Sequence, residues 1–330
     1  MNMKKIINHP DHVVSEMLAG LAIAEKNLRY LPESEVIVRQ KPDKNKVALI
    51  SGGGSGHEPA HAGYVGQGML DAAVSGNVFA SPSPDRILSA IHEVAGEKGV
   101  LLIIKNYSGD IMNFGMAAEL AEMEGYKVMS VVTKDDVAVP DSVYSTGRRG
   151  IAGTVFVHKI AGAAAEAGKS LEDIRNLSQK VIDNTRSMGM AMTPCVLPGV
   201  GKPGFTLGEQ EIEIGMGIHG EPGVERTSVK TAKELAEILC SHILADMDFA
   251  DAELAVMING LGGTPLMELY ILTGEVDKLL KAKGIKPCRW YVGNYMTSLE
   301  MSGCSVSLLK LDEELKGYLD AETNAPAWRN

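Results

Sequence analysis

Four polar side chains occur where apolar segments give way to glycine-rich turns. His57 follows a run of glycines, Lys105 and Asp110 follow the segment Val100–Ile104, and His219 lies between glycines in a later loop. A neutral imidazole serves as a nucleophile or a base, and glycines beside it leave room for a ligand. The pattern favours a ligand-facing role for His57 and a catalytic role for His219. Asp110 fits a helix cap as well as a catalytic carboxylate, and Lys105 by itself is typical of a solvated lysine.

The glycine run Gly52–Gly56 requires a test against the known phosphate-binding patterns. A P-loop ends in Gly-Lys-Ser/Thr, but here Gly56 is followed by His57. The sixth position of a Rossmann fingerprint is His57 or Pro59, depending on which glycine starts the count, and neither is glycine. A nucleophile elbow around Ser55 fails at the same histidine. The sequence therefore does not identify this loop as a nucleotide site.

The segment His57–His61 (HEPAH) matches the metalloprotease pattern H-E-x-x-H. That pattern binds zinc only when both histidines lie on one face of a helix. Proline fits only the first turn of a helix, so with Pro59 there His57 would lie outside it. We therefore expect no metal in this chain.

Strands that alternate with helices predict an α/β fold for the first half. Ser75-Gly76-Asn77 is interpreted as a turn, and a mainly parallel sheet with ligands beyond its carboxyl ends is expected. The predicted helices are His12–Asn27, Pro84 to about Ala95, Ile111–Met123, Thr154–Ala167 and Leu171–Thr185, and the predicted strands are Val47–Ser51, Asp71–Val74, Val100–Ile104 and Lys127–Val132.

A proline- and glycine-rich stretch, Thr193–Gly208, places a domain boundary near residue 190. The predicted architecture is two α/β subdomains, residues 1–190 and 191–330, each a sheet flanked by helices. The active site is expected at strand carboxyl ends near their interface. The second half is predicted to contain strands at Glu211–Ile214, Leu254–Ile258, Trp290–Gly293 and Ser305–Leu311 and helices at Thr231–Ala245, Leu266–Leu272 and Asp312–Tyr318.

Composition argues against several classes of function. Lys plus Arg is 32 and Asp plus Glu is 42, which gives a net charge of −10 and disfavours nucleic-acid binding. No apolar run reaches the roughly 18–20 residues that cross a bilayer, and no apolar signal core is present, so a cytoplasmic protein without membrane contact is predicted. Isolated cysteines favour reduced, mostly buried thiols over a zinc knuckle or redox pair. They are Cys195, Cys240, Cys288 and Cys304.

Several segments together resemble the dihydroxyacetone kinases, and in particular their substrate-binding K subunit. Any one motif would be weak, but four in the right order are specific, and the resemblance covers essentially the whole chain. The four are Gly52–Pro59 (GGGSGHEP), Asn77–Pro82 (NVFASP), Lys105–Asp110 (KNYSGD) and Gly217–Gly223 (GIHGEPG), followed by Asn259–Pro265 (NGLGGTP) and Tyr291–Thr297 (YVGNYMT).

The resemblance implies a covalent mechanism. His219 matches the family's histidine that attacks the ketone carbon of dihydroxyacetone and forms a hemiaminal. His57 matches the acceptor of the proton from the terminal hydroxyl, and Asp110 matches the carboxylate that holds this hydroxyl. The substrate-contacting loop and lysine of the family match Gly54, Ser55, Gly56 and Lys105. The glycine loop thus resembles a triose site, which explains why the nucleotide patterns fail.

The resemblance also implies partners. ATP-dependent relatives carry a second, helical nucleotide domain, whereas this sequence ends at Asn330, so a stand-alone subunit of the phosphotransferase-system-dependent type is expected. A separate L subunit would hold ADP and magnesium and deliver the phosphoryl group, an M subunit would recharge it, and this chain would bind no cofactor itself. A homodimer is expected from the family. The alternative is a coactivator paralogue that only senses dihydroxyacetone; the presence of His57 and Asp110 favours the kinase subunit.

Overall fold

Two six-stranded β-sheets with helices packed on them organise the chain. The computed structural model describes residues 4–140 and 147–328. The first half contains, in chain order, α1 (Val13–Ala24), β1 (Leu28–Leu31), β2 (Val36–Arg39), β3 (Ala48–Ser55), β4 (Ala72–Val78), α2 (Pro84–Val94), β5 (Val100–Lys105), α3 (Ser108–Met123), β6 (Val128–Thr133), α4 (Thr154–Glu166) and α5 (Leu171–Asp183). The second half contains β7 (Thr185–Thr193), β8 (Glu211–Ile214), β9 (Glu225–Ser228), α6 (Ala232–Asp246), β10 (Glu253–Gly260), α7 (Leu266–Ala282), β11 (Lys286–Gly293), β12 (Ser302–Leu311) and α8 (Glu313–Asp320). The predicted fold class, two α/β units each with a sheet flanked by helices, is confirmed.

The first sheet has the spatial order β1-β2-β4-β3-β5-β6, in which β4, β3, β5 and β6 run parallel. β5 is the apolar run VLLIIK and is buried at every position, as expected for a parallel strand covered on both faces. α2 leads from β4 to β5, and α3 leads from β5 to β6. Because parallel strands end at the same edge of a sheet, the residues that follow β3 and β5 lie near each other.

The second sheet has the order β11-β10-β12-β7-β8-β9 and is mostly antiparallel. α7 provides the crossover between β10 and β11, which are parallel, whereas β7, β8 and β9 are joined by loops and pair antiparallel. The expectation of mainly parallel pairing therefore holds for most of the first sheet and is wrong for the second. Residue 190 lies inside β7, and the division into residues 1–190 and 191–330 stays a prediction.

Four strands, β1, β2, β7 and β9, are absent from the sequence-based prediction. β1 and β2 are short and form an antiparallel pair at the edge of the first sheet. β7 is TRSMGMAMT, which has no aromatic residue and whose β-branched residues are only the threonines at its two ends, so the usual signs of a strand are weak. The predicted turn at Ser75-Gly76-Asn77 is also wrong, because β4 continues to Val78 and its backbone pairs with the glycines of β3.

α4 lies in an apolar core that both halves share. Every residue from Thr154 to Ala165 is buried. The same core contains Ile103 from the first sheet and Met257 and Leu309 from the second. Loops at the ends of both sheets are therefore held in a defined relation to each other.

The cysteines agree with the prediction of free, mostly buried thiols. Cys195, Cys240 and Cys304 are buried, Cys288 is partly exposed, and none forms a disulfide. In the described ranges, residues 4–140 and 147–328, the helices lack the combination of length and apolar character that crossing a membrane requires.

Candidate active site

The carboxyl ends of β3 and β5 bring the glycine run and Lys105 side by side. β3 pairs with β5 in parallel, with Ser51 opposite Ile103, so the glycines after Ser51 continue along the end of β5. All eight residues of β3 are buried although five of them are glycine or serine. The strand therefore continues through the glycine loop and opens a narrow space beside Lys105.

Lys105 is fully buried, so the interpretation as a solvated lysine is wrong. Its Nζ lies 3.3 Å from the carbonyl oxygen of Gly52 and 3.3 Å from Oδ2 of Asp110. A Cβ on Gly53 would lie only 2.2 Å from this Nζ, and the residue has a φ of +154°. Gly53 is therefore required for the lysine to reach the glycine loop.

Asp110 does not cap a helix, in contrast to one of the two roles considered from the sequence. α3 begins at Ser108 and has Tyr107 at its N-cap, so Asp110 lies inside the first turn. Its side chain is 3% exposed; Oδ2 faces Lys105, and Oδ1 has no hydrogen-bond partner among the described residues. A buried carboxylate oxygen without a partner is costly, and it is a ready acceptor for a ligand hydroxyl.

His57 and His219 meet although 162 positions separate them in the chain. Nε2 of His57 lies 3.0 Å from Nε2 of His219. Nδ1 of His57 lies 2.7 Å from the carbonyl oxygen of Thr297, which can only accept, so Nδ1 carries a proton. Burial, followed by the charges of His219 and Lys105, lowers the pKa of His57 well below its usual value. His57 is therefore neutral, with its Nε2 lone pair directed at His219.

Glu221 is a site residue that sequence reasoning missed. Its Oε1 lies 2.9 Å from Nδ1 of His219, and its Oε2 accepts the backbone N–H of His219 at 2.9 Å. Burial by itself would raise the pKa of Glu221, but the hydrogen bond and charge of His219, together with Arg149, lower it to about 2. The available signal was an acidic residue two positions after the histidine in GIHGEPG, and that spacing alone does not predict a contact.

Two aromatic residues that the sequence reasoning did not assign enclose the imidazoles. Phe79 stacks on His57 with ring centroids 5.1 Å apart and meets His219 edge-on at 5.3 Å. Tyr107 meets His219 edge-on at 4.6 Å, and Nζ of Lys105 lies 5.8 Å from the centre of the Tyr107 ring. The Tyr107 hydroxyl is buried without a partner among the described residues. Tyr107 thus connects the Lys105–Asp110 pair to the histidine pair.

The remaining predicted residues, Gly54, Ser55 and Gly56, form the strand end that supports His57. The hydroxyl of Ser55 donates to the carbonyl oxygen of Gly76 at 2.7 Å. A Cβ on Gly54 would lie 2.6 Å from the backbone nitrogen of Ala80, so only glycine permits this approach. The carbonyl oxygen of Gly56 accepts the backbone N–H of Leu299 at 2.7 Å. The loop is therefore held from both halves of the chain.

The H-E-x-x-H pattern does not form a zinc-binding helix. Residues 57–61 adopt turns, and their two histidines face different partners. His57 faces His219, whereas Nδ1 of His61 lies 2.9 Å from Nε2 of His158. Within residues 4–140 and 147–328, no cluster of three or more His, Cys, Asp or Glu side chains has the arrangement of a metal site.

The known proteins that this chain is similar to include dihydroxyacetone kinases and a coactivator. The family model of the Dak1 domain matches residues 19–327. The dihydroxyacetone-binding subunit DhaK of PTS-dependent dihydroxyacetone kinase 1 from Listeria innocua is 52% identical over 314 residues, which cover 94% of this chain and 95% of that protein. The structure of the dihydroxyacetone kinase of C. freundii matches with a TM-score of 0.92 and 40% identity over 99% of this chain and 60% of that longer chain. The dihydroxyacetone kinase operon co-activator DhaQ matches with a TM-score of 0.91 and 39% identity over 97% of this chain and 99% of that chain.

Proposed function

The chain belongs to the Dak1-domain family, and on that premise we propose that it is the dihydroxyacetone-binding K subunit of a phosphotransferase-system-dependent dihydroxyacetone kinase. It captures dihydroxyacetone on His219 and presents a hydroxyl for phosphorylation, which gives dihydroxyacetone phosphate. The observation that carries the proposal is the 3.0 Å contact between the Nε2 atoms of His57 and His219. The likeness to DhaK of Listeria innocua along nearly the full length of both chains supports the assignment to a separate subunit.

Capture is the addition of an imidazole to a ketone. Nε2 of His219 forms a bond to the carbonyl carbon, the π electrons of the carbonyl move to its oxygen, and that oxygen takes a proton to give a hemiaminal. Glycerol has no carbonyl carbon and cannot form this bond. The covalent step therefore selects a ketotriose over a triol of similar size and hydrogen-bonding capacity.

Transfer requires deprotonation of a terminal hydroxyl as it attacks phosphorus. Oδ1 of Asp110 is buried and unpartnered among the described residues, so it accepts a hydrogen bond from this hydroxyl. His57 is neutral because burial lowers its pKa, so its Nε2 can take the proton. The Lys105 ammonium lies 3.3 Å from Asp110 and supplies positive charge for the transferring phosphoryl group.

The phosphoryl donor belongs to partner subunits in this proposal. An L subunit would hold ADP and magnesium, an M subunit would recharge it, and this chain would supply only the acceptor. Homodimer formation remains a prediction from the family resemblance, and a cytoplasmic location remains a prediction from the sequence.

A second candidate function is a dihydroxyacetone-sensing coactivator, which the likeness to the co-activator DhaQ supports. Sensing requires only capture by His219, whereas transfer also requires the proton-handling residues His57 and Asp110. Both are present and buried at the site. We therefore place the kinase subunit first.

Reconstitution tests the kinase assignment. The purified chain, mixed with L and M subunits and phosphoenolpyruvate, should form dihydroxyacetone phosphate from dihydroxyacetone. The chain with ATP alone should form none, and efficient turnover under that condition would contradict the subunit assignment. Capture without transfer in the complete mixture would favour the coactivator.

The Asp110→Asn variant separates capture from transfer. Asparagine keeps the shape of the side chain but removes the charge, so the covalent adduct should form while transfer falls by roughly two to four orders of magnitude. Intact-protein mass spectrometry measures the adduct, and release of triose phosphate measures transfer. Full turnover by this variant would exclude a catalytic role for Asp110.

A further inference from the structure

Glu221 holds the imidazole of His219 by the nitrogen that does not face His57. The two carboxylate oxygens divide their contacts: Oε1 faces Nδ1 of the ring at 2.9 Å, and Oε2 accepts the backbone N–H of the same residue at 2.9 Å. A carboxylate accepts hydrogen bonds and donates none. Nδ1 of His219 therefore carries a proton, and the lone pair that can act as nucleophile belongs to Nε2.

The Nε2 atoms of His57 and His219 face each other across 3.0 Å. Nδ1 of His57 donates to the carbonyl of Thr297, and Nδ1 of His219 donates to Glu221. With both Nδ1 atoms protonated, both Nε2 lone pairs point into the space between the rings. A ketone carbon that enters this space therefore meets the lone pair of His219.

Arg149 and Gly217 keep Glu221 in this position. A Cβ on Gly217 would lie 2.0 Å from Oε2 of Glu221 and 2.5 Å from Nη1 of Arg149, so both side chains use space that only glycine leaves free. The guanidinium of Arg149 is itself fixed by Oδ2 of Asp136 and by the carbonyl oxygen of Gly215. The positive charge of this buried guanidinium lies close to the Glu221 carboxylate and helps to lower its pKa.

We propose that Glu221 is the positioning residue for the nucleophile: it fixes the Nδ1–H tautomer of His219 and balances the positive charge that the imidazole gains in the adduct. The inference rests on the proposed function. In the capture step Nε2 of His219 bonds to the carbonyl carbon, the π electrons of the carbonyl move to its oxygen, and that oxygen takes a proton from water. Nδ1 keeps its proton on Glu221. The neutral ring thereby becomes an imidazolium beside a carboxylate.

An isosteric variant should be more damaging than a truncated one. The backbone N–H of His219 can only donate, so in Glu221→Gln the amide oxygen must face it and the NH2 group must face Nδ1. Nδ1 then becomes the acceptor, and Nε2 carries the proton and loses its nucleophilic lone pair. We expect Glu221→Gln to lower the adduct equilibrium constant by on the order of 100-fold or more, and Glu221→Ala, which leaves both tautomers accessible, by about tenfold. Intact-protein mass spectrometry across a range of dihydroxyacetone concentrations measures both.

Glu213 provides the matched control. It is a buried carboxylate at the base of the same loop and accepts from the backbone N–H of Gly223 at 2.7 Å and from Nε of Arg226 at 3.0 Å, without touching His219. Glu213→Gln should leave capture close to that of the wild type. Gly217→Ala should fold, because the atoms it displaces are side-chain ends, and it should weaken capture by moving the Glu221 carboxylate.

Imidazole ¹⁵N chemical shifts test the tautomer without substrate. In the labelled wild-type chain Nδ1 of His219, assigned by its absence in His219→Ala, should be protonated, and in Glu221→Gln it should not. Wild-type capture by Glu221→Gln, an equal loss in Glu213→Gln, or an unprotonated Nδ1 in the wild type would overturn the inference. If the wild type captures no triose, the proposed function fails, while the ¹⁵N measurement still decides the role of Glu221.

Discussion

The molecule contains two histidine pairs that have nearly the same internal geometry and different surroundings. His57 and His219 approach to 3.0 Å, and His61 and His158 approach to 2.9 Å. In the first pair the outer nitrogens contact the carbonyl of Thr297 and the carboxylate of Glu221. In the second pair the outer nitrogens, Nε2 of His61 and Nδ1 of His158, have no partner within the described residues.

The surroundings of the two pairs differ in charge. Burial, followed by the charge of Lys105, lowers the pKa of His61 well below normal and that of His158 to about 3. The second pair is neutral and packs in the core. In the first pair His57 is buried in the same way, but His219 is partly exposed and contacts the carboxylate of Glu221. An imidazole becomes a nucleophile here through the group on its outer nitrogen, not through its contact with another imidazole.

The largest difference between the pairs should appear when one ring is removed from each. His219→Ala should abolish the covalent adduct and reduce triose phosphate formation by more than about four orders of magnitude, because the nucleophile is lost. His158→Asn should keep the adduct. Intact-mass measurement with dihydroxyacetone decides the question, and an adduct of unchanged mass on His219→Ala would assign the nucleophile to another residue.

The neighbouring histidines of HEPAH give the next comparison. His57→Asn should retain capture and lose roughly two to four orders of magnitude in transfer, since the proton acceptor is absent. His61→Asn should change transfer by less than about tenfold, because His61 faces His158 and Ser51 rather than His219. Single-turnover phosphoryl transfer from a recharged L subunit measures the transfer rate of each variant. Equal losses in both variants would show that the second pair takes part in proton transfer.

Sequence patterns located the site more successfully than they described it. The apolar run of β5 and the glycines of β3 placed His57, Lys105 and Asp110 at strand ends, because burial on both faces leaves an unambiguous signal. The burial of Lys105 was not visible, since it depends on the space that Gly53 leaves beside its ammonium group. The sequence favoured His57 because it follows the glycines directly, and the structure places His57 rather than His61 beside His219.

The second half was described less completely for a physical reason. Its antiparallel pairs include β7, whose methionines, glycine and single serine carry no strand signal, so the sheet order could not be inferred. Glu221 lies two residues from His219, and its contact depends on the turn at Gly220, which has a φ of +80°. Such a turn fixes side-chain contacts that spacing in the sequence does not specify.

The second pair should determine how stability changes with pH. In the unfolded chain a histidine titrates near pH 6.5, whereas in the folded chain His158 titrates near 3. Between these values the unfolded state binds a proton that the folded state does not, so the free energy of unfolding falls as the pH falls, by up to about 1.4 kcal/mol per pH unit for each such histidine. His158→Asn should reduce the slope of the unfolding free energy against pH by about 1.4 kcal/mol per pH unit between about pH 5.5 and 4.

Urea denaturation at several pH values measures the slope. His61→Asn should give a similar change, because His61 is buried in the same pair. Burial raises the pKa of Asp136 to about 6, which acts in the opposite direction, but this contribution is common to all variants and cancels in the difference. Identical slopes for the wild type and His158→Asn would mean that the second pair is not kept neutral by the fold.

The smallest predicted effects concern two serines of β3, and they test whether the two histidine pairs act independently. Ser51 donates to the carbonyl of Ile103 and Ser55 to the carbonyl of Gly76, each at 2.7 Å, so either alanine variant should lose about 1 kcal/mol of stability. The Ser51 hydroxyl also lies 3.4 Å from Nδ1 of His61, whereas Ser55 belongs to the loop that carries His57. Ser55→Ala should therefore weaken capture by less than about tenfold, and Ser51→Ala should leave it unchanged. The expected loss of stability is the same in both variants, so it cannot explain a difference in capture. An equal loss of capture in both would mean that a change beside His61 and His158 reaches His57 and His219 through β3. The two histidine pairs could then no longer be treated as one reactive and one structural pair.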